Sequence, residues 1–357
     1  MSRPPRHIAV VRFSAMGDVA MLFPVLRAVL AQNDLEVTLI TRPQFAPIFS
    51  SIEGLCVKTV DLKNDYRGLW GLWQLAREIK SLGPDYFLDL HDVLRTKIIR
   101  RYLRLLGLSV HKFDKGRAQK KQRVKEFDPG APWLKSTHER YADGFRALGL
   151  KVNLEQEALF TNTLDATSQG KPSDQNNDER GLENSLINDQ RPLIGFAPFA
   201  AYPGKTYPLD LAKDLCLELT QKGYQVLLFG GPGQEAAELS NMAHDIKNAT
   251  VIAGQRTFAQ ELEIISTLDL MIAMDSGNGH LAANFGVPVI TLWGATHPSL
   301  GFMPFGQEKE RQLYADRQQY PELPTSVYGN KLPQGYSDLM RSISVAQISA
   351  KVEEFLG

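Results

Sequence analysis

Short β-branched runs alternate with longer amphipathic segments along this chain. That rhythm constrains the fold more than any other feature, because it builds repeated β-α units around a parallel sheet. In the first half HIAVVRF (from His7), VTLIT (from Val37) and DYFLDL (from Asp85) read as buried strands, with helices over residues 19–32 and 69–82. The rhythm restarts with PLIGFAP (from Pro192), QVLLFG (from Gln225), LDLMIAM (from Leu268) and PVITLWG (from Pro288). Helices over 209–222, 258–267 and 280–285 separate them. Between the halves, the stretch from Asp165 has too few large apolar residues to build a core. At 357 residues the chain also exceeds what one average core fills. An α/β architecture of two Rossmann-like domains facing across a cleft is therefore expected. Its parts are a first domain over 1–165, a polar linker or insertion over 166–190, a second domain over 191–340 and a C-terminal helix over 341–357. In that helix Val345, Ile348, Val352 and Phe355 recur at helical spacing behind Ser344, which suits an N-cap.

Composition narrows the class. Forty basic and forty acidic residues leave no net charge, so no global field draws the protein to nucleic acid or an acidic bilayer. Cys56 and Cys216 are too few for a disulfide framework or a zinc site, and a cytoplasmic location is expected. The basic N-terminus has its apolar run broken at Arg12, unlike a signal peptide. No stretch approaches the roughly 20 apolar residues of a spanning helix. No Asp-x-Asp pair occurs, so neither a metal site nor a metal-bridged diphosphate is indicated.

Four constellations could do chemistry. In RFSAMGDV, from Arg12, a strand gives way at Gly17 to a helix whose first turn holds Asp18. That carboxylate either caps the helix or acts as a base on an acceptor hydroxyl. In APFAAYPGKTYP, from Ala197, Lys205 ends a Gly-Pro-rich loop after a strand, a suitable place for a cation facing phosphate. The P-loop reading fails there, because its first glycine would fall at Phe199. In DSGNGHLAA, from Asp275, Gly277 and Gly279 leave free N–H groups at a helix start, a ready anion site, with His280 one turn in. The same residues match G-x-G-x-x-A, which keeps open a dinucleotide-binding protein without transfer chemistry. Finally, twelve cations between Arg95 and Lys125 face Asp114 alone. They suit an anionic partner such as a phosphorylated glycolipid, membrane headgroups or RNA, though nucleic-acid modules usually interleave more aromatics.

In order along the chain, RFSAMGDV…PVLRAV, LDLHDVLRT (from Leu88), APFAAYPGKTYP and DSGNGHLAANFGVPVITLWGATHP resemble glycosyltransferase family 9, the ADP-heptose:lipopolysaccharide heptosyltransferases. The resemblance implies the GT-B fold and an inverting transfer of heptose, or a related sugar, from an ADP-sugar to a lipopolysaccharide inner-core or lipid A-type acceptor. It implies no cofactor beyond the ADP-sugar co-substrate. Asp18 is the implied general base. Lys205, Glu235, Asp275, Ser276, Gly277, Gly279, His280 and Thr296 are the implied donor-binding residues. Arg95, Lys97 and Arg101 of the acceptor-binding N-terminal domain would meet the acidic acceptor. The implied partners are the nucleotide-sugar, an anionic glycolipid and, peripherally, the inner face of the cytoplasmic membrane, with no nucleic acid. Two departures bear on the donor: PFA stands for the usual PGA, and Tyr207 stands where tryptophan is common. Another GT-B nucleotide-sugar enzyme with a different donor sugar is the alternative activity.

Overall fold

The computed structural model describes residues 5–155 and 191–357, so the expected linker over 166–190 lies outside it. The described chain divides into two compact units, one of residues 5–117 and 135–155 and the other of 118–134 and 191–357.

The first unit is built on strands β1 (His7–Val11), β2 (Glu36–Thr41), β3 (Leu55–Thr59), β4 (Tyr86–Asp89) and β5 (Ser109–Lys112). They pair in parallel in the order β3-β2-β1-β4-β5. Central β1 sets Val10 opposite both Leu39 and Leu88. It is covered on both faces, which is why it reads as a continuous apolar run. The helix expected over 19–32 is instead two helices, Met16–Ala20 and Phe23–Gln32. Pro24 falls in the first turn of the second, where its missing N–H costs nothing, but it could not continue an existing helix. Gly68–Ser81, Leu94–Leu105 and Thr137–Arg146 complete the helices that pack on this sheet.

The second unit holds β6 (Leu193–Ala197), β7 (Gln225–Leu228), β8 (Ala249–Val251), β9 (Leu270–Met274), β10 (Val289–Trp293) and β11 (Gln312–Tyr314). Their order is β11-β10-β9-β6-β7-β8, again all parallel. β6 is buried at all five positions, and a Cβ on Gly195 would lie 2.5 Å from Leu268 Cδ1. The C-terminal helix Val345–Leu356 starts in a capping box, with the Gln347 N–H donating to Ser344 Oγ at 3.2 Å. Its Ile348 and Val352 are fully buried, and it packs on helix Leu209–Gln221.

One assignment changes. Residues 118–134, expected within the first domain, belong to the second unit. Their own side chains explain it. Lys120 Nζ sits 3.7 Å over the Phe302 ring, Phe127 meets His297 edge-on at 4.8 Å, and Lys309 Nζ lies 4.5 Å from the Trp133 ring. The Leu134 N–H donates to the Ser299 carbonyl at 2.9 Å. With His297, Tyr314 and Arg317 from the unit's main body, Phe127 and Trp133 wall a cavity of about 390 Å³ at the carboxyl ends of β10 and β11. Among the described residues no helix is long and apolar enough to cross a membrane.

Candidate functional site

Both sheets change winding direction at one point, between β1 and β4 in the first and between β6 and β9 in the second. Open α/β sheets bind ligands in the crevice at such points, beyond the strand carboxyl ends. The predicted residues Asp18, Lys205 and Asp275 all lie at these ends.

In the first unit, β1 runs into Arg12, which is 3% exposed. Its Nη1 donates to the Leu90 carbonyl at 2.6 Å, and its Nη2 pairs with the Asp18 carboxylate. The Tyr141 hydroxyl donates to the Asp18 carbonyl at 3.2 Å. The helix is capped by Ala15, without a side-chain bond, so the Asp18 carboxylate is spent on Arg12 rather than on capping. Its side chain keeps a third of its surface open to a ligand.

Two neighbours stand outside the expected site residues. His91 is buried, edge-on to Phe13, with Nε2 3.4 Å from Ser14 Oγ. Burial, reinforced by the charges of Arg12 and Lys115 and opposed by Asp18, pushes its pKa down to about 3, so the ring is neutral at physiological pH. Half-buried Lys115 is pushed down to about 8 by desolvation and by Arg12 and Arg117, against the pull of Asp18 and Asp92. Its amine has no partner among the described residues.

In the second unit, the loop after β6 is stitched to the end of β10 by the Ala295 N–H, which donates to the Gly204 carbonyl at 2.8 Å. Side chains at Gly204 and Gly294 would block this approach, which explains the glycine before Lys205. A Cβ on Gly329, where φ is +76°, would collide with the Lys205 stem. Held this way, Lys205 Nζ lies 2.8 Å from Asp275 Oδ2, which also accepts from Thr296 Oγ1 at 2.7 Å. Burial acts to raise the Asp275 pKa. The Lys205 charge, the hydrogen bonds from Lys205 and Thr296, and nearby His280 outweigh it and hold the carboxylate below its usual range. Helix Gly277–Asn284 begins directly after, three residues earlier than expected, and buries Gly279 and His280. Its N-cap Ser276 makes no capping bond, and the buried Ser276 hydroxyl has no partner among the described residues. A cation, a free hydroxyl and unsatisfied helix N–H groups thus converge, a set of donors suited to phosphate.

Glu235 stands in the first turn of helix Gln234–Ala243, which follows β7. Its Oε2 accepts from the Gly231 N–H at 2.6 Å, and its Oε1 has no partner among the described residues. The basic run does not form one surface. Arg100 is buried between Asp89 (3.1 Å) and Asp92 (2.9 Å), and Lys120 is buried in the second unit. Arg95, Lys97 and Arg101 are exposed on helix Leu94–Leu105. Among the described residues, no three His, Cys, Asp or Glu side chains gather as a metal site.

Comparison with known proteins agrees with this layout. The profile of glycosyltransferase family 9 (heptosyltransferase) matches residues 72–331. The lipopolysaccharide core heptosyltransferase OpsX of Haemophilus influenzae is 23% identical over 305 residues, covering 82% of this chain and 80% of its own. A family 9 glycosyltransferase from Veillonella parvula superposes with a TM-score of 0.73 at 18% identity, over 100% of this chain and 98% of that one. The Escherichia coli heptosyltransferase WaaC, solved with ADP-2-deoxy-2-fluoro heptose, gives 0.64 at 16% identity, over 98% and 99%. With two parallel Rossmann-type sheets of the GT-B fold and a family match across most of its length, the chain is a glycosyltransferase and belongs to glycosyltransferase family 9, the heptosyltransferases.

Proposed function

We propose that this enzyme transfers a heptose, or a closely related sugar, from an ADP-sugar to a lipopolysaccharide inner-core or lipid A-type acceptor in one inverting displacement. The observation that carries this reading is the Lys205–Asp275–Thr296 cluster beside the start of helix Gly277–Asn284. Lys205, Ser276, His280 and the amides of Gly277 and Gly279 bind the diphosphate and stabilise it as charge grows on the leaving group. Asp275 and Thr296 hold Lys205 in place. The open Oε1 of Glu235 accepts from a ribose hydroxyl. Asp18 removes the proton from the acceptor hydroxyl as it attacks the anomeric carbon, and the C–O bond to the diphosphate breaks as the new one forms. The first unit thus takes the acceptor and the second the donor, with no cofactor besides the ADP-sugar. OpsX is named a lipopolysaccharide core heptosyltransferase and WaaC was solved with an ADP-heptose analogue, which supports both substrate classes. A cytoplasmic enzyme working at the inner face of the membrane fits these substrates.

The direct test supplies purified enzyme with ADP-heptose and deacylated inner-core saccharide, against UDP-sugars. ADP should appear only when donor and acceptor are both present. Turnover of UDP-sugars alone, or none with ADP-heptose, would reject the reading.

Arg95, Lys97 and Arg101 meet acidic groups of the acceptor, and Lys115, nearest of these cations to Asp18 in its electrostatics, joins them. An amine loses its charge as pH rises through its pKa, here about 8. KM for the anionic acceptor should therefore climb between pH 7 and 9, while donor KM stays level. Lys115→Arg keeps its charge over that range and should flatten the acceptor profile. An unchanged slope in that variant would remove Lys115 from the site.

A further inference from the structure

Three large apolar side chains stand in water at one corner of the first unit: Leu69 at 63% exposure, Trp70 at 76% and Leu94 at 74%. Single exposed apolar residues are common, but a grouped set marks an interaction surface. Leu69 and Trp70 open helix Gly68–Ser81, whose buried face runs through Leu72, Leu75, Ala76 and Ile79. Leu94 opens helix Leu94–Leu105. Each helix follows a parallel strand of the same sheet and returns antiparallel to it, so the two run side by side with their N-termini at the carboxyl edge. Asp18 lies at that same edge.

Their registry is fixed by Trp73, whose ring meets Tyr102 edge-on at 5.2 Å. At about 1.5 Å per residue, Trp70 is then level with Ile99, Gly68 with Lys97, and Leu94 about one turn further out. The apolar residues are ringed by cations: Lys63, Arg67, Arg95, Lys97 and Arg101 are exposed, against the exposed acid Asp65. The charged ends of Arg67, Arg95, Lys97 and Arg101 have no partner among the described residues, while the Lys63 charge acts on Asp61. Buried Arg100, by contrast, is consumed by Asp89 and Asp92.

An indole and two leucines beyond a belt of free cations are what an anionic bilayer surface binds. The rings and aliphatic chains enter the headgroup region while Lys and Arg meet the lipid phosphates. Single-stranded nucleic acid would use the indole but has no use for the leucines. We infer that the paired N-termini of helices Gly68–Ser81 and Leu94–Leu105 form a docking surface for an anionic membrane, which brings a lipid-embedded acceptor to the edge that holds Asp18. This rests on the glycolipid-acceptor reading above and adds the surface that reads the bilayer itself.

The test is co-sedimentation of the full chain with vesicles of phosphatidylcholine alone or with 30 mol% phosphatidylglycerol. Binding should favour the anionic vesicles by at least tenfold and weaken with salt. Trp70→Ser/Leu94→Ser should cut it at least tenfold, and Arg95→Gln/Lys97→Gln by roughly 25-fold, at about fivefold per charge. With a deacylated acceptor, Trp70→Ser/Leu94→Ser should turn over as wild type does, and with a vesicle-embedded acceptor it should slow. Equal binding to both vesicle types overturns the inference, as does undiminished binding by the serine variant or saturable binding to single-stranded RNA without vesicle binding. Failure of the sugar-transfer reading would show separately, as absent turnover with the deacylated acceptor.

Discussion

Asp18→Asn should lower kcat by roughly 10²–10⁴-fold, the range general-base help supplies, while the KM for donor moves less than about threefold. The amide keeps the carboxylate's size and can still face Arg12, so the local structure should survive. Arg12 retains its bond to the Leu90 carbonyl. ADP binding, followed by calorimetry, should match the wild type, because every donor-binding residue proposed above lies in the second unit. A kcat within threefold of the wild type would remove Asp18 from the chemistry. Arg12→Gln tests the support: an unanchored Asp18 should lose part of kcat, and Arg12→Lys should recover some of it.

Lys205→Met removes the charge while leaving an apolar stem to lie against Gly329. Two losses should follow. Turnover should fall by about 10²–10³-fold, as when one donor to developing charge is removed, and donor KM should rise. Stability should fall too, because Asp275 is left as a buried charge without its cation, a loss of about 3–5 kcal/mol before the remaining Thr296 bond softens it. The two effects separate in Lys205→Met/Asp275→Asn. With neither charge present, the melting temperature should return toward the wild-type value while turnover stays low. Recovery of both would make the pair structural and leave the diphosphate without its cation.

The strands that the sequence reveals are the interior ones. β3, β5, β8 and β11 escape it, and each is a sheet edge. An edge strand is wetted along one side, so polar residues such as Lys58, His111 and Thr250 interrupt the apolar run that signals a buried strand. The loop proposed to bind the donor is legible because its chemistry is local: Gly204, Lys205, Asp275 and Gly277 sit in two short motifs, and Gly204 has a steric reason in its close approach to Ala295. Arg12, His91 and Lys115 are less legible, since what matters about them is a meeting of β1, β4 and the loop after β5, and no spacing encodes that. Arg100 was within reach. Thr96, Arg100 and Leu103 recur at helical spacing and all are buried, which marks Arg100 as the cation facing inward and its neighbour Arg101 as the one facing out.

Residues 118–134 leave the first unit for the second, and the chain returns at Lys135. The two halves are therefore not separable by a single cut. A fragment ending near residue 165 would trail a seventeen-residue arm with Phe127 and Trp133 stripped of their partners, and a fragment starting near 191 would lack a wall of its own cavity. Swapping halves between relatives, a natural route to new donor or acceptor preference, needs three junctions rather than one, with the arm always travelling alongside the C-terminal sheet.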